Sequence, residues 1–214
     1  MVKRQKTGAE KAGSHLDTLT LLRAIYVTDL KEGGAPVASI AKRAGVAPSS
    51  VRSALREASA RKLVREAKGA VALTTSGRRR LKVVMMGGAF EIIHPGHVHA
   101  ISEAKTFGNT LVVVVATDGS VERNKARAPV TSQALRVGLV SSLREVDLAL
   151  PGNKGSIYDI LLRIRPDVIA LGYDQRHNGE EIEREAARRG LRIRCLRLGT
   201  PIPDVKTSKI LLSL

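Results

Sequence analysis

Residues 110–116 read Thr-Leu-Val-Val-Val-Val-Ala, and this run constrains the fold more than any other segment. Six apolar residues without a polar break offer no solvent-facing side. Such a strand is buried on both faces, as in a parallel sheet covered by helices. The flanking sequence repeats the theme: a strand over 82–86, a helix over 96–107, the valine strand, then a helix over 131–143 and a strand over 147–150. Further on come a helix over 156–164, a strand over 167–171, a helix over 180–189 and a strand over 191–196. The alternation predicts an α/β fold, a doubly wound parallel sheet of Rossmann-like type with right-handed crossovers. Its ligand is expected at the carboxyl ends of the strands, near the point where the winding reverses. Cys195, the one cysteine of the chain, is expected to be buried in the last strand; alone it makes no internal disulfide and no Cys-rich zinc site.

The 80 residues ahead of this pattern differ in charge. Of 36 Lys and Arg against 20 Asp and Glu in the whole chain, residues 1–80 hold 17 basic and 6 acidic side chains, and residues 81–214 hold 19 and 14. The excess is N-terminal, and it is compatible with a polyanionic partner there. Aromatic residues are only 2% of the chain, which argues against a grip on single strands by base stacking and leaves duplex binding. Residues 1–14 read as a basic disordered arm. Leu16, Leu19, Leu22, Ile25 and Tyr26 then recur at helical spacing, a second helix follows over 36–44, and a third runs over 49–63 with Val51, Leu55 and Ala58 inward. Extended pieces over 64–67 and 70–74, joined by Lys68 and Gly69, predict a hairpin. The expected division is thus an arm over 1–14, a helical and hairpin domain over 15–80, and the α/β domain over 81–214. No segment is apolar and long enough for a membrane span, and the N-terminus lacks an apolar leader, so a cytoplasmic location with no membrane partner is expected.

The chemistry is concentrated after the first α/β strand, in Met85-Met86-Gly87-Gly88-Ala89-Phe90-Glu91-Ile92-Ile93-His94-Pro95-Gly96-His97, where a helix begins. Glycines allow close approach of backbone to a ligand, and a helix N-terminus offers unpaired N–H groups with a partial positive charge. His94 and His97, three residues apart at that mouth, can aim two imidazoles at one anion. This is the signature of a phosphate site; neither G-x-x-x-x-G-K-[ST] nor G-x-G-x-x-G occurs here. A metal pair with His99 as a third ligand is the competing reading, disfavoured because His99 lies on a different side of the helix from His97. Arg123, Lys125 and Arg127 follow the second strand and are candidates to clamp a triphosphate, or simply to solvate a loop. Asp174, at a strand's carboxyl end, is a candidate contact for base or ribose, or else a helix cap.

The histidine segment resembles the H-x-G-H nucleotidyltransferases of the cytidylyltransferase-like superfamily. With Leu171-Gly172-Tyr173-Asp174-Gln175 and the late Lys206-Thr207-Ser208-Lys209-Ile210, the resemblance is strongest to the archaeal FAD synthetases, which adenylylate FMN. This chain has Ala89 and Glu91 where those enzymes usually carry Thr and Asp. The resemblance implies catalytic roles for His94, His97, Lys125 and Arg136. It implies nucleotide contacts from Gly88, Ala89, Phe90, His94, Pro95, Gly96, His97, Asp174, Thr207 and Ser208, the hydroxyls holding β- and γ-phosphate oxygens. ATP and FMN are the implied substrates, Mg²⁺ arrives with the nucleotide, and the protein itself supplies no metal ligands. Residues 15–80 resemble a winged helix-turn-helix. That implies DNA contacts from Arg52, Arg56 and Arg61 on the third helix, beside Ser50 and Ser53, and from Lys68 at the wing tip, with a role in regulation; a domain that only mediates protein contacts or dimerisation is the competing reading. Two alternatives stay open: a CTP-dependent cytidylyltransferase acting on an alcohol phosphate such as glycerol 3-phosphate, and a nucleotide-sensing transcriptional regulator without turnover. Oligomeric state is also open, a homodimer included.

Overall fold

The computed structural model describes residues 16–67, 69–173, 175, 177–199 and 210. Contacts divide the chain into two compact units, residues 1–78 and 79–214.

In the first unit α1 (Thr18–Glu32), α2 (Val37–Ala44) and α3 (Pro48–Ala60) precede a hairpin, β1 (Val64–Ala67) with β2 (Ala70–Leu73), and one turn of helix, α4 (Thr75–Arg78). The helix starts and stops follow local chemistry. Asp17 caps α1 by accepting from the Thr20 N–H at 3.0 Å, and Gly33 ends it in the left-handed conformation at φ 74°. Gly45 ends α2 in the same way, and Pro48 opens α3, where its missing N–H costs nothing. Leu21, Leu22, Ile25, Ile40 and Val51 are wholly buried. Two expectations are corrected: Leu19 is exposed, and on α3 the inward stripe is Val51, Ala54 and Ala58, while Leu55 is only half-buried. Threonine 74 locks the exit of the hairpin, its hydroxyl donating to Lys62 O at 2.7 Å and accepting from the Gly77 N–H at 3.1 Å.

The second unit is a five-stranded sheet in the order β5-β4-β3-β6-β7, every neighbouring pair parallel. Its elements are β3 (Val83–Gly88), α5 (Pro95–Thr106), β4 (Thr110–Val115), α6 (Asp118–Lys125), α7 (Gln133–Ser141), β5 (Leu148–Pro151), α8 (Ile157–Ile164), β6 (Val168–Leu171), α9 (Gly179–Arg188) and β7 (Arg194–Arg197). The valine strand β4 lies between β3 and β5 with Leu111, Val112, Val113 and Val115 at zero exposure, as an unbroken apolar run requires. Aspartates ahead of two strands set the register: Asp167 accepts from the Val83 N–H and Asp147 from the Leu111 N–H, each at 2.7 Å. The chain winds outward from β3 to β5 and then returns to β6 on the other side of β3. The winding therefore reverses between β3 and β6, where the carboxyl ends, Gly88 and Leu171, open a crevice.

Helix α6 was not expected, since only Val121 of its eight residues is buried and the apolar period is missing. The last strand starts three residues later than its apolar pattern suggests, because pairing with the four residues of β6 defines it. Cys195 is half-buried on this edge strand, and its thiol is pushed up to about 11 by burial and then by the Glu183 carboxylate. Among the described residues no helix is long and apolar enough to cross a membrane.

Candidate active site

The turn between β3 and α5 folds over its own aromatic ring. Phe90 adopts φ 51° and is buried, with its ring so close to Gly88 that a Cβ there would meet ring carbons at 2.8 and 2.9 Å. Gly88 is required for this approach, and a larger residue would have to displace a ring that has nowhere to go. His97 packs on Phe90 with ring centroids 5.2 Å apart, and His94 lies against His97 at 4.0 Å, tilted by 35°. His94 is the N-cap of α5, in extended conformation and with no side-chain capping bond, and Pro95 opens the helix. The Nδ1 atom of His94 is buried with no hydrogen-bond partner among the described residues. Burial holds the His94 imidazole below its ordinary value of about 6.5, so near neutral pH it is uncharged. An uncharged imidazole with a buried, unsatisfied nitrogen at a helix N-terminus suits an anionic ligand that completes its hydrogen bonding.

Glu91, two residues beyond Ala89, has a side chain at zero exposure. Lys125 donates to its Oε2, Arg127 donates through two nitrogens at 2.8 and 3.2 Å, and the Val130 N–H adds a bond at 3.3 Å. Burial alone raises a carboxyl pKa; here the Arg127 and Lys125 hydrogen bonds outweigh it and hold the group at about 2. Lys125 and Arg127 are thus neither a loose loop nor an open clamp. Both are committed to Glu91 beside the turn, while Arg123 bonds its neighbour Ser120 at 3.2 Å.

Arg136 also differs from expectation. Its side chain on α7 is wholly buried and bonds to Thr131 O at 3.1 Å, Ala116 O at 2.8 Å, Asp118 Oδ1 at 2.7 Å and Ala89 O. All three guanidinium nitrogens are engaged with protein, so in this structure Arg136 positions the turn and does not present itself to a phosphate. Across the crevice Gln175 joins the two loops, donating to Gly87 O at 2.8 Å and accepting from the Gly172 N–H at 3.1 Å. Arg197 gathers the carbonyls of Gly172, Gln175 and His177 at 2.9 Å each. From sequence Glu91 stood out only as a departure from the resemblance and Gln175 only as a member of the Leu171–Gln175 block, neither with a role, and Arg197 was not singled out. The one available signal was a carboxylate inside the apolar run Ala-Phe-Glu-Ile-Ile.

Gly88, Ala89, Phe90, His94, Pro95, Gly96 and His97 therefore form one continuous feature at the crevice. Asp174, Thr207 and Ser208 lie outside the described residues, as does Lys68 of the hairpin turn. His99 is exposed and stands 4.0 Å from Glu103, and among the described residues no three His, Cys, Asp or Glu side chains gather to hold a metal. A cavity of about 440 Å³ opens beyond the ends of β6 and β7, between Leu171, Gly179 and Cys195. Glu180 and Glu183 at its wall make it unsuited to a phosphate.

The comparisons agree with this geometry. A family model described as Cytidylyltransferase-like matches residues 85–211. A FAD synthase of Aciduliprofundum boonei is 45% identical over 115 residues, 54% of this chain and 76% of that protein. A FAD synthase of Pyrococcus horikoshii is 40% identical over 136 residues, 62% of this chain and 91% of that protein. Among solved structures, a lipopolysaccharide core biosynthesis protein from Thermoplasma volcanium superposes with a TM-score of 0.53 at 36% identity, covering 56% of this chain and 98% of that one.

Proposed function

The chain belongs to the cytidylyltransferase-like family, and from that premise we propose that it is an FMN adenylyltransferase, joining the AMP part of ATP to FMN to give FAD and pyrophosphate. A phosphate oxygen of FMN attacks the α-phosphorus of ATP in line. The new P–O bond forms as the bond from that phosphorus to the bridging oxygen breaks, and pyrophosphate leaves with the electron pair. No side chain becomes covalent, so the protein contributes placement and charge stabilisation. Mg²⁺, arriving with ATP, would supply charge that offsets its phosphates.

The observation that carries this reading is the close, tilted ring pair His94 and His97 at the start of α5, with the buried Nδ1 of His94 unsatisfied among the described residues beside the Gly88–Phe90 turn. Phosphates in that turn receive hydrogen bonds from imidazoles and from the N-terminus of α5. Lys125, which Glu91 holds beside the turn, would add a positive charge near the same anion. The reading is further supported by archaeal relatives that carry the name FAD synthase at 37–45% identity. The residues that carry this reading all belong to the second unit, and the basic excess of the first fits a separate polyanionic partner.

Purified protein with Mg²⁺, offered FMN plus ATP in one mixture and glycerol 3-phosphate plus CTP in another, will release pyrophosphate and form FAD only in the first. Turnover confined to the CTP mixture reverses the assignment. His94→Ala removes a transition-state donor and is expected to lower turnover by about 10²-fold or more. Wild-type turnover in that variant would place the reaction elsewhere.

A further inference from the structure

Between α3 and the hairpin of the N-terminal unit runs a groove of about 310 Å³ that the proposed reaction does not use. Arg52 and Arg56 line it from α3 and Arg65 from β1, facing one carboxylate, Glu66. All three arginines are exposed, and none makes a hydrogen bond or ion pair to another described residue. Arginines that only decorate a surface do not usually converge from two elements on one groove while leaving every donor unused.

We propose that this surface binds duplex DNA, as a winged helix-turn-helix that lays α3 in the major groove and the β1–β2 hairpin along the backbone. Ser49, Arg52, Ser53 and Arg56 fall at i, i+3, i+4 and i+7, forming an exposed or rim stripe opposite the buried Val51, Ala54 and Ala58. The connection from α2 is short, with Gly45 at φ 67° turning the chain directly into α3. A helix of 13 residues is about 20 Å long and about 10–12 Å across, which matches the roughly 12 Å width of the B-form major groove. The major groove of A-form RNA is too deep and narrow to be read this way. Single strands are disfavoured because Tyr26, the one aromatic among residues 16–78, is buried with the Arg78 guanidinium 5.4 Å over its ring. Arg61 is a weaker contact than its neighbours, since it already donates to the Thr18 hydroxyl at 3.1 Å.

The test is binding of the full chain to a short labelled mixed-sequence duplex across a salt series, for wild type and for the double variant Arg52→Ala/Arg56→Ala. Three guanidiniums on phosphates give a slope of log affinity against log salt of about −3, at about −0.9 per contact. The double variant is expected to bind more weakly at low salt and to flatten the slope by about 2. Both substituted side chains are exposed and distant in sequence from the nucleotide site, so FAD formation stays at the wild-type rate and reports an intact protein. Three results would overturn the proposal: no duplex binding at low salt, an unchanged affinity and slope in the double variant, or single-stranded RNA displacing the duplex at equal concentration. The second of these would assign the binding to the basic arm.

Discussion

At Glu91 the balance between burial and pairing decides what the residue does. A carboxylate taken out of water is costly, and breaking a buried pair strands the remaining charges. Lys125 and Arg127 are each about a third exposed, at 35% and 37%, so water recovers part of that loss. We expect Glu91→Gln to lower stability by about 2 kcal/mol, between the values for buried and exposed pairs. Because the folded group titrates near 2 and its ordinary value is 4.5, the unfolded chain takes up the proton first as pH falls. The stabilisation from Glu91 is therefore whole above about 4.5 and is lost from there towards 2. Urea midpoints should show a constant gap between wild type and Glu91→Gln above pH 4.5 and a narrowing gap below it. A gap indifferent to pH would mean that shape, and not charge, holds the turn. The same variant releases Lys125, so inorganic pyrophosphate should bind it more tightly than it binds wild type.

At the scale of elements, the turn after β3 depends on α7, and that dependence was hidden in the sequence. The apolar run of β4, the glycines after β3 and the His94–His97 pair announce themselves, because burial on both faces and helix-mouth geometry leave direct marks on residue order. The bonds of Arg136 leave none: its acceptors Ala89 O and Ala116 O belong to backbone 47 and 20 residues away, and any residue type offers a carbonyl. Helix α6 was hidden for a related reason. Its start rests on Thr117 accepting from the Ser120 N–H at 3.1 Å, and a polar helix with one buried residue has no period to detect. Since Arg136 grips four acceptors with a planar fork, Lys cannot replace it. Arg136→Lys should lower kcat by about 10²-fold, the effect of displacing a reacting group by about 1 Å, through the carbonyl of Ala89 and without any phosphate contact of its own. If KM for ATP rises while kcat is kept, Arg136 binds the nucleotide directly and the positioning role is wrong.

Over the whole molecule the two units separate chemistry from the charge excess. Every residue placed at the crevice, from Gly87 to Gln175 and on to Arg197, belongs to residues 79–214, and the core beneath it, from Val84 to Leu198, is drawn from the same unit. The FAD synthases it resembles are matched over most of their own length by little more than half of this chain, up to 92% of the relative by 63% here. That proportion places the shared activity in the second unit and leaves the first as an addition with its own buried centre around Leu21, Ile25, Ile40 and Val51. A chain consisting of residues 79–214 is accordingly expected to fold, to form FAD at the rate of the full chain, and to have lost the duplex affinity. Circular dichroism, FAD formation and the salt titration on that one shortened protein check the three parts in turn. Folded protein without turnover would show that the first unit completes the active site, and retained duplex affinity would move the nucleic-acid surface out of the groove between α3 and β1.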